Sequence, residues 1–163
     1  MKKITRFSIT ALIVLCFVLV SFSTVFATPG ITHQNKDWSD PVASSSDKGV
    51  SFTSVVVSPW QLPGTTTLSS GVAVPVGFPK GELQFGGKGI QISGIAEHKS
   101  IQVCFDFPTY NNSWKGKIYE WNGIKWVPVT TTILAPAESN PSACTSSAKN
   151  GFYALIIGYF GSV

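Results

Sequence analysis

Alternation of apolar and polar positions with a two-residue period runs through most of the chain after residue 48, and that period predicts strands. The clearest case is "SIQVCFDF". Ile101, Val103, Phe105 and Phe107 fall on one face, and Gln102, Cys104 and Asp106 on the other. An earlier strand, "VSFTSVVVS", ends at Pro59, and "TTTLSSGVAVPVGF" predicts another with Val72, Val74, Val76 and Phe78 on one face. Pro75 has no N–H to give a ladder, so that strand is expected at an edge or bent there. "GELQF" and "GIQISGI" read as two short strands, or as one interrupted by Gly86, Gly87 and Gly89. "VTTTILAP", "SACTSSA" and the closing "FYALIIGYF" complete the set. No segment after the first 27 residues carries a helical period, and no repeat emerges.

The segment "GKIYEWNGIKWVPV" holds the strongest hairpin signal, Asn122-Gly123 between alternating arms. With those two residues as the whole loop, Trp121 faces Ile124, Glu120 faces Lys125, Tyr119 faces Trp126 and Ile118 faces Val127. Tyr119, Trp121, Ile124 and Trp126 then share one face, and Glu120 and Lys125 pair on the other. Two roles fit that aromatic face. It is either half of a packed core or a platform for sugar rings, with Trp114 extending the row. The ion pair belongs in water, so the aromatics are expected inward.

Strands at this spacing, bounded by Gly, Pro and Asn, predict an all-β fold. The expected architecture is an immunoglobulin-like antiparallel β-sandwich of about seven to nine strands over residues 49–163. Residues 28–48, "TPGITHQNKDWSDPVASSSDK", are polar and rich in turn formers, which predicts an arm or linker. Trp38 is its one large apolar residue and is expected to tuck against the domain.

Residues 1–27 change the picture. Lys2, Lys3 and Arg6 precede an apolar run from Ala11 to Val20, and Val25 and Ala27 occupy the small-residue positions before a cut. This is the pattern of a secretory signal peptide cleaved after Ala27, with no membrane span left after cleavage. Three of the twelve basic residues leave with it, so nine lysines face eight acidic residues and the formal charge falls from +4 to +1. Nucleic acid is therefore not expected as a partner, since its readers cluster Lys and Arg on one face and here the lysines are scattered among carboxylates. Export also bears on the two remaining cysteines, Cys104 and Cys144, which are expected to pair in an oxidising compartment.

Candidate chemistry is sparse. The two histidines, His33 and His98, lie in the arm and in the turn "AEHKS". No Gly-x-Ser-x-Gly elbow is present, and no spacing brings two of Glu82, Glu97, Asp106 and Glu120 together for glycoside hydrolysis. Asp37 and Asp40 fall short of the six or more oxygens calcium takes. The Gly-rich run at 85–89 lacks the Lys-Ser/Thr ending of a phosphate loop. No cofactor or metal is expected. The expected role is that of a secreted, non-enzymatic module, binding or structural, whose partner is an extracellular protein or a polysaccharide. A carbohydrate-binding module is the first alternative, and a small secreted hydrolase the last.

Overall fold

The computed structural model describes residues 38–47, 49–78, 83–108, 110, 113–135 and 140–159. The expected leader, 1–27, and the first part of the arm, 28–37, lie outside the described residues. Twelve strands occur among the described residues: β1 (Val42–Ser44), β2 (Thr53–Val57), β3 (Thr65–Thr67), β4 (Ala73–Pro75), β5 (Leu83–Phe85), β6 (Gly89–Ser93), β7 (Ile101–Asp106), β8 (Trp114–Trp121), β9 (Trp126–Pro128), β10 (Thr132–Leu134), β11 (Ser142–Ala148) and β12 (Gly151–Tyr159). One 3-10 turn, Pro59–Gln61, follows β2.

All pairings are antiparallel. A four-stranded sheet runs β1-β7-β11-β10, and a six-stranded sheet runs β2-β6-β12-β8-β9, with β5 also on β12. Strands β5 and β6 lie along the two halves of the same edge of β12: Phe85 opposes Ile156, and Ile90 opposes Tyr153. The glycine-rich 86–88 is the bend between them, so the two-strand and interrupted-strand readings describe one path.

The inter-sheet core is built from alternate positions, as the period requires. Ile101, Val103, Phe105 and Phe107 point inward from β7 and its continuation, facing Ile90, Ile92, Ile118, Tyr153, Leu155 and Ile157 of the larger sheet. Gly116 belongs to this face because Phe107 and Ile157 leave no room there: a Cβ would stand 2.8 Å from Ile157 Cγ2. Strand β12 differs from the rest in being buried on both faces, with Ala154 and Ile156 facing away from the first core. Its unbroken apolar run reflects that central position.

The twelve strands exceed the seven to nine expected, and two features depart from the expected layout. Residues 38–44 leave the arm and join the domain. The Trp38 ring, 6.1 Å from that of Phe107, packs on the domain as expected, whereas Val42–Ser44 pairs with Gln102–Cys104 as an edge strand. The polar texture of 28–48 concealed this because a three-residue edge strand needs only backbone partners and one inward side chain, here Ala43. The second departure is the stretch 65–78. Instead of one strand it folds back as the β3–β4 hairpin, because Gly71, at φ +80°, closes a turn in which Gly71 N donates to Leu68 O at 2.8 Å.

The corner between β11 and β12 is fastened twice. Asn150 accepts from Ile95 N at 2.8 Å and donates to Ile95 O at 2.9 Å, while Lys149 N donates to the Tyr153 hydroxyl at 2.8 Å. Burial pushes the Tyr153 phenol up to about 12; the nearby Glu120 carboxylate adds to the shift and the Lys149 N–H opposes it. The folded value lies above the ordinary 10.0, so this contribution to stability is intact below that pH and is lost as pH climbs through about 12. Alkaline unfolding is therefore expected in that window, together with a late tyrosinate absorbance step. Tyr153→Phe should remove the step and lose about 1 kcal/mol at neutral pH through the orphaned Lys149 N–H. A tyrosinate step unaltered in Tyr153→Phe would assign it to another tyrosine.

Candidate functional site

The aromatic hairpin forms with a longer loop than the Asn-Gly pair alone implies. Asn122 N donates to Lys125 O at 3.1 Å, and Asn122 Oδ1 accepts from Ile124 N at 3.0 Å and Lys125 N at 2.9 Å. The side chain thus replaces a backbone acceptor and holds a four-residue loop, with Gly123 at φ +93°. Register moves by two residues: Trp121 opposes Trp126, Glu120 opposes Val127 and Tyr119 opposes Pro128. The expected Glu120–Lys125 cross-strand pair does not form, and Ile124 projects from the loop at 84 % exposure instead of joining the aromatic face.

An even shift preserves parity, so Tyr119, Trp121 and Trp126 still share a face. That face is neither an open platform nor part of the inter-sheet core. It lies on the far side of the six-stranded sheet, where it forms a second core with Val57, Leu62, Ala73, Phe85, Ala154 and Ile156. The cover is the segment from Pro59 to Phe78. Gly64, at φ +59°, rests on the Trp121 ring so closely that a Cβ would stand 2.2 Å from Cζ3. Leu62 fills the space over Gly89, where a Cβ would come within 2.6 Å of Leu62 Cδ2. Ring contacts knit the layer: Trp121–Trp126 at 5.6 Å, Phe85–Trp126 at 5.7 Å and Phe78–Tyr119 at 5.4 Å, all edge-on. Trp126 is 4 % exposed. Its Nε1 finds no hydrogen-bond partner among the described residues, and burial pushes the Tyr119 phenol up. Both are consequences of a packed layer rather than a wet binding face.

Trp114 does not extend the row. It stands on the opposite face of β8, packed against the inter-sheet core with its ring 5.4 Å from that of Tyr159. The four aromatics singled out from the sequence therefore divide three to one between the two faces of one sheet.

Cys104 and Cys144 are disulfide-bonded, with Cα atoms 4.1 Å apart. They are direct partners across β7 and β11, so the bond ties two strands of one sheet, on the face away from the inter-sheet core. Separation of this size is that of a non-hydrogen-bonded antiparallel pair, the closer of the two kinds.

The titratable residues stand apart. His98 is 89 % exposed at φ +64°, with Nε2 3.9 Å from Glu97 Oε1. Lys99 Nζ meets Asp47 at 2.9 Å, and that hydrogen bond, helped by the Gly49 N–H, holds the Asp47 carboxyl below its usual range. Asp40 is taken up by Lys88 at 2.6 Å. Asp106 is half-buried on β7, and Glu120 lies beside Tyr153. Among the described residues, no group of three or more His, Cys, Asp and Glu is placed to hold a metal ion. His33, Asp37 and Glu82 fall outside the described residues.

Two surface features were not anticipated from the sequence. An open groove of about 210 Å³ runs along the cover segment between Thr66, Val74, Val76, Phe78 and Leu83, below the 300 Å³ or so of typical small-molecule sites. The other is apolar exposure on β2 and the cover: Val55 54 %, Val56 39 %, Trp60 54 % and Val76 49 %. "TSVVV" carried that signal as an uncharged edge, but which strand ends a sheet is decided by non-local pairing.

The fold and its single-sheet disulfide place the chain among disulfide-bonded antiparallel β-sandwich proteins. Compared with family models, curated proteins and solved structures, the chain matches none.

Proposed function

We propose that this chain is exported and acts outside the cell or at its surface as a non-catalytic module that binds or holds another molecule. The observation that carries this reading is the distribution of exposed apolar surface. The aromatic face is spent on a second core, while Val55, Val56, Trp60 and Val76 stand out on one edge strand and the cover segment. These four are half of the large exposed apolar residues among those described, the others being Val42, Ile124, Leu134 and Tyr159; apolar exposure gathered on one region is characteristic of contact surfaces. The disulfide fits an oxidising compartment, as the leader pattern does. No helix among the described residues is long and apolar enough to cross a membrane.

The sandwich is further read as immunoglobulin-like. A tyrosine hydroxyl bonded to a backbone N–H four residues upstream, at the corner entering a central strand, is the arrangement of a tyrosine corner. The disulfide departs from the antibody pattern, in which the bond joins the two sheets.

Hydroxyl-radical footprinting tests the proposal. Labelling of Trp60, Val55 and Val56 is expected to fall in native extracellular material relative to the dilute purified chain. Unchanged labelling at all three positions overturns the binding role, and turnover that disappears with His98→Ala would replace it with a catalytic one. A Trp fluorescence shift on titrating soluble polysaccharides, lost in Trp60→Ala, would make the partner a glycan.

A further inference from the structure

We infer that the free edge of β2 is a self-pairing surface, on which a second copy of this chain adds its own β2 antiparallel across a two-fold axis. The inference rests on the binding role proposed above and names the partner. β2 is hydrogen-bonded on one side only, to β6, from Thr53 opposite Ser93 to Val57 opposite Gly89. Its other side is a row of backbone N–H and C=O groups that no described element pairs. A row of that kind selects its occupant by chemistry: extended backbone, with side chains projecting alternately to the two faces.

The other outer strands, β5 among them, are shorter. β1, β9 and β10 have three residues each, and β9 includes Pro128. β2 has five residues, no charge, no proline and no bulge in its register with β6. It lacks the devices that keep edge strands from pairing. Successive side chains point to opposite faces, and Val55 and Val56 are both exposed, so either face of an added strand meets apolar surface.

The choice of a second copy follows from this chemistry. A charged peptide finds no counter-charge on "TSVVV", whereas an uncharged β-branched strand matches it throughout, and β2 is itself such a strand. Antiparallel pairing of identical strands is closed by two-fold symmetry, so it ends at a dimer. Centred on Val55, the register sets Val55 opposite its symmetry mate, Ser54 opposite Val56 and Thr53 opposite Val57. The two six-stranded sheets become one continuous sheet across the interface.

Sedimentation of the disulfide-intact mature chain over a concentration series tests this directly. A reversible monomer–dimer equilibrium is expected. Val55→Lys should weaken it roughly 100-fold, because two like charges would face each other across the axis, with the far-UV spectrum and melting profile unchanged. Cysteine variants test the register. Val55→Cys alone should cross-link rapidly under mild oxidation. Ser54→Cys and Val56→Cys should cross-link when mixed and much less when separate, and Val42→Cys, at a 63 % exposed residue of β1, sets the background. A wild type that stays monomeric with Val55→Cys no faster than Val42→Cys overturns the proposal, as do open-ended polymers in place of a dimer. If the chain is monomeric yet β2 and Trp60 remain protected in native extracellular material, self-pairing fails while the binding role stands. Loss of both results removes both.

Discussion

Trp126→Ala is expected to lower stability by about 3–5 kcal/mol, the range for truncating a large buried aromatic. That is a large share of the 5–15 kcal/mol that holds an ordinary domain together. The indole is 4 % exposed and stands edge-on between Phe85 and Trp121, so its removal opens a cavity walled by three strands and the cover segment. The cover suffers most. Its β3–β4 hairpin is a two-stranded sheet of three residues per strand, and such a hairpin is marginal without a surface to pack on. Chemical denaturation should show the lost stability, and limited proteolysis should cut within 58–78 sooner than in wild type. Trp60→Ala is the control: that side chain is 54 % exposed, and its removal should change stability by about 0.5 kcal/mol or less. Gly64→Ala attacks the same layer from outside, since its Cβ cannot enter without displacing Trp121. A Trp126→Ala protein as stable as wild type, with 58–78 still protected, would mean that the aromatic layer is not a core.

Strand β7 is legible in the sequence because both of its faces are unambiguous: Ile101, Val103 and Phe105 are buried, and Gln102 is exposed. The final strand is legible as well, though its long apolar run says central and doubly covered rather than merely terminal. Parity within the hairpin was also recoverable, including the position of Trp114. Five residues separate it from Tyr119, and an odd separation places two side chains on opposite faces of a strand. Its apparent place in the aromatic row came from nearness along the chain.

Register was harder to read. Whether Asn-Gly closes a two-residue or a four-residue loop depends on where the Asn122 side chain bonds, and its two acceptor contacts to Ile124 N and Lys125 N favour the longer loop. What covers the aromatic face lay further out of reach. Alternation says which side chains share a face, and says nothing of which distant segment lies over it. That information resides in pairwise fits such as Gly64 on Trp121 and Leu62 over Gly89. A glycine read alone signals a turn; only its neighbour in space shows that it is also a contact.

Removing the Cys104–Cys144 bond is expected to cost about 4 kcal/mol by the chain-entropy argument for a loop of this length, as much as losing Trp126. The two losses arise by different routes. The bond spans 40 residues, which include β8, β9 and β10, and it links positions already paired in one sheet. The native state therefore keeps β7 beside β11 through the ladder when the bond is gone; Cys104 is half-buried and Cys144 is buried, so the packing lost is chiefly that of the Cys144 sulfur. The effect falls on the unfolded chain, which gains freedom and exposes more surface. For a Cys104→Ala/Cys144→Ala variant the denaturation midpoint should fall and the slope of stability against denaturant should rise, because that slope follows the surface exposed on unfolding. Trp126→Ala should instead lower the midpoint at a nearly constant slope, since it damages the folded state. An unchanged midpoint in the cysteine-free variant would show that the ladder alone restricts the chain. A fall of the expected size at constant slope would place the loss in native packing, against the single-sheet position of the bond.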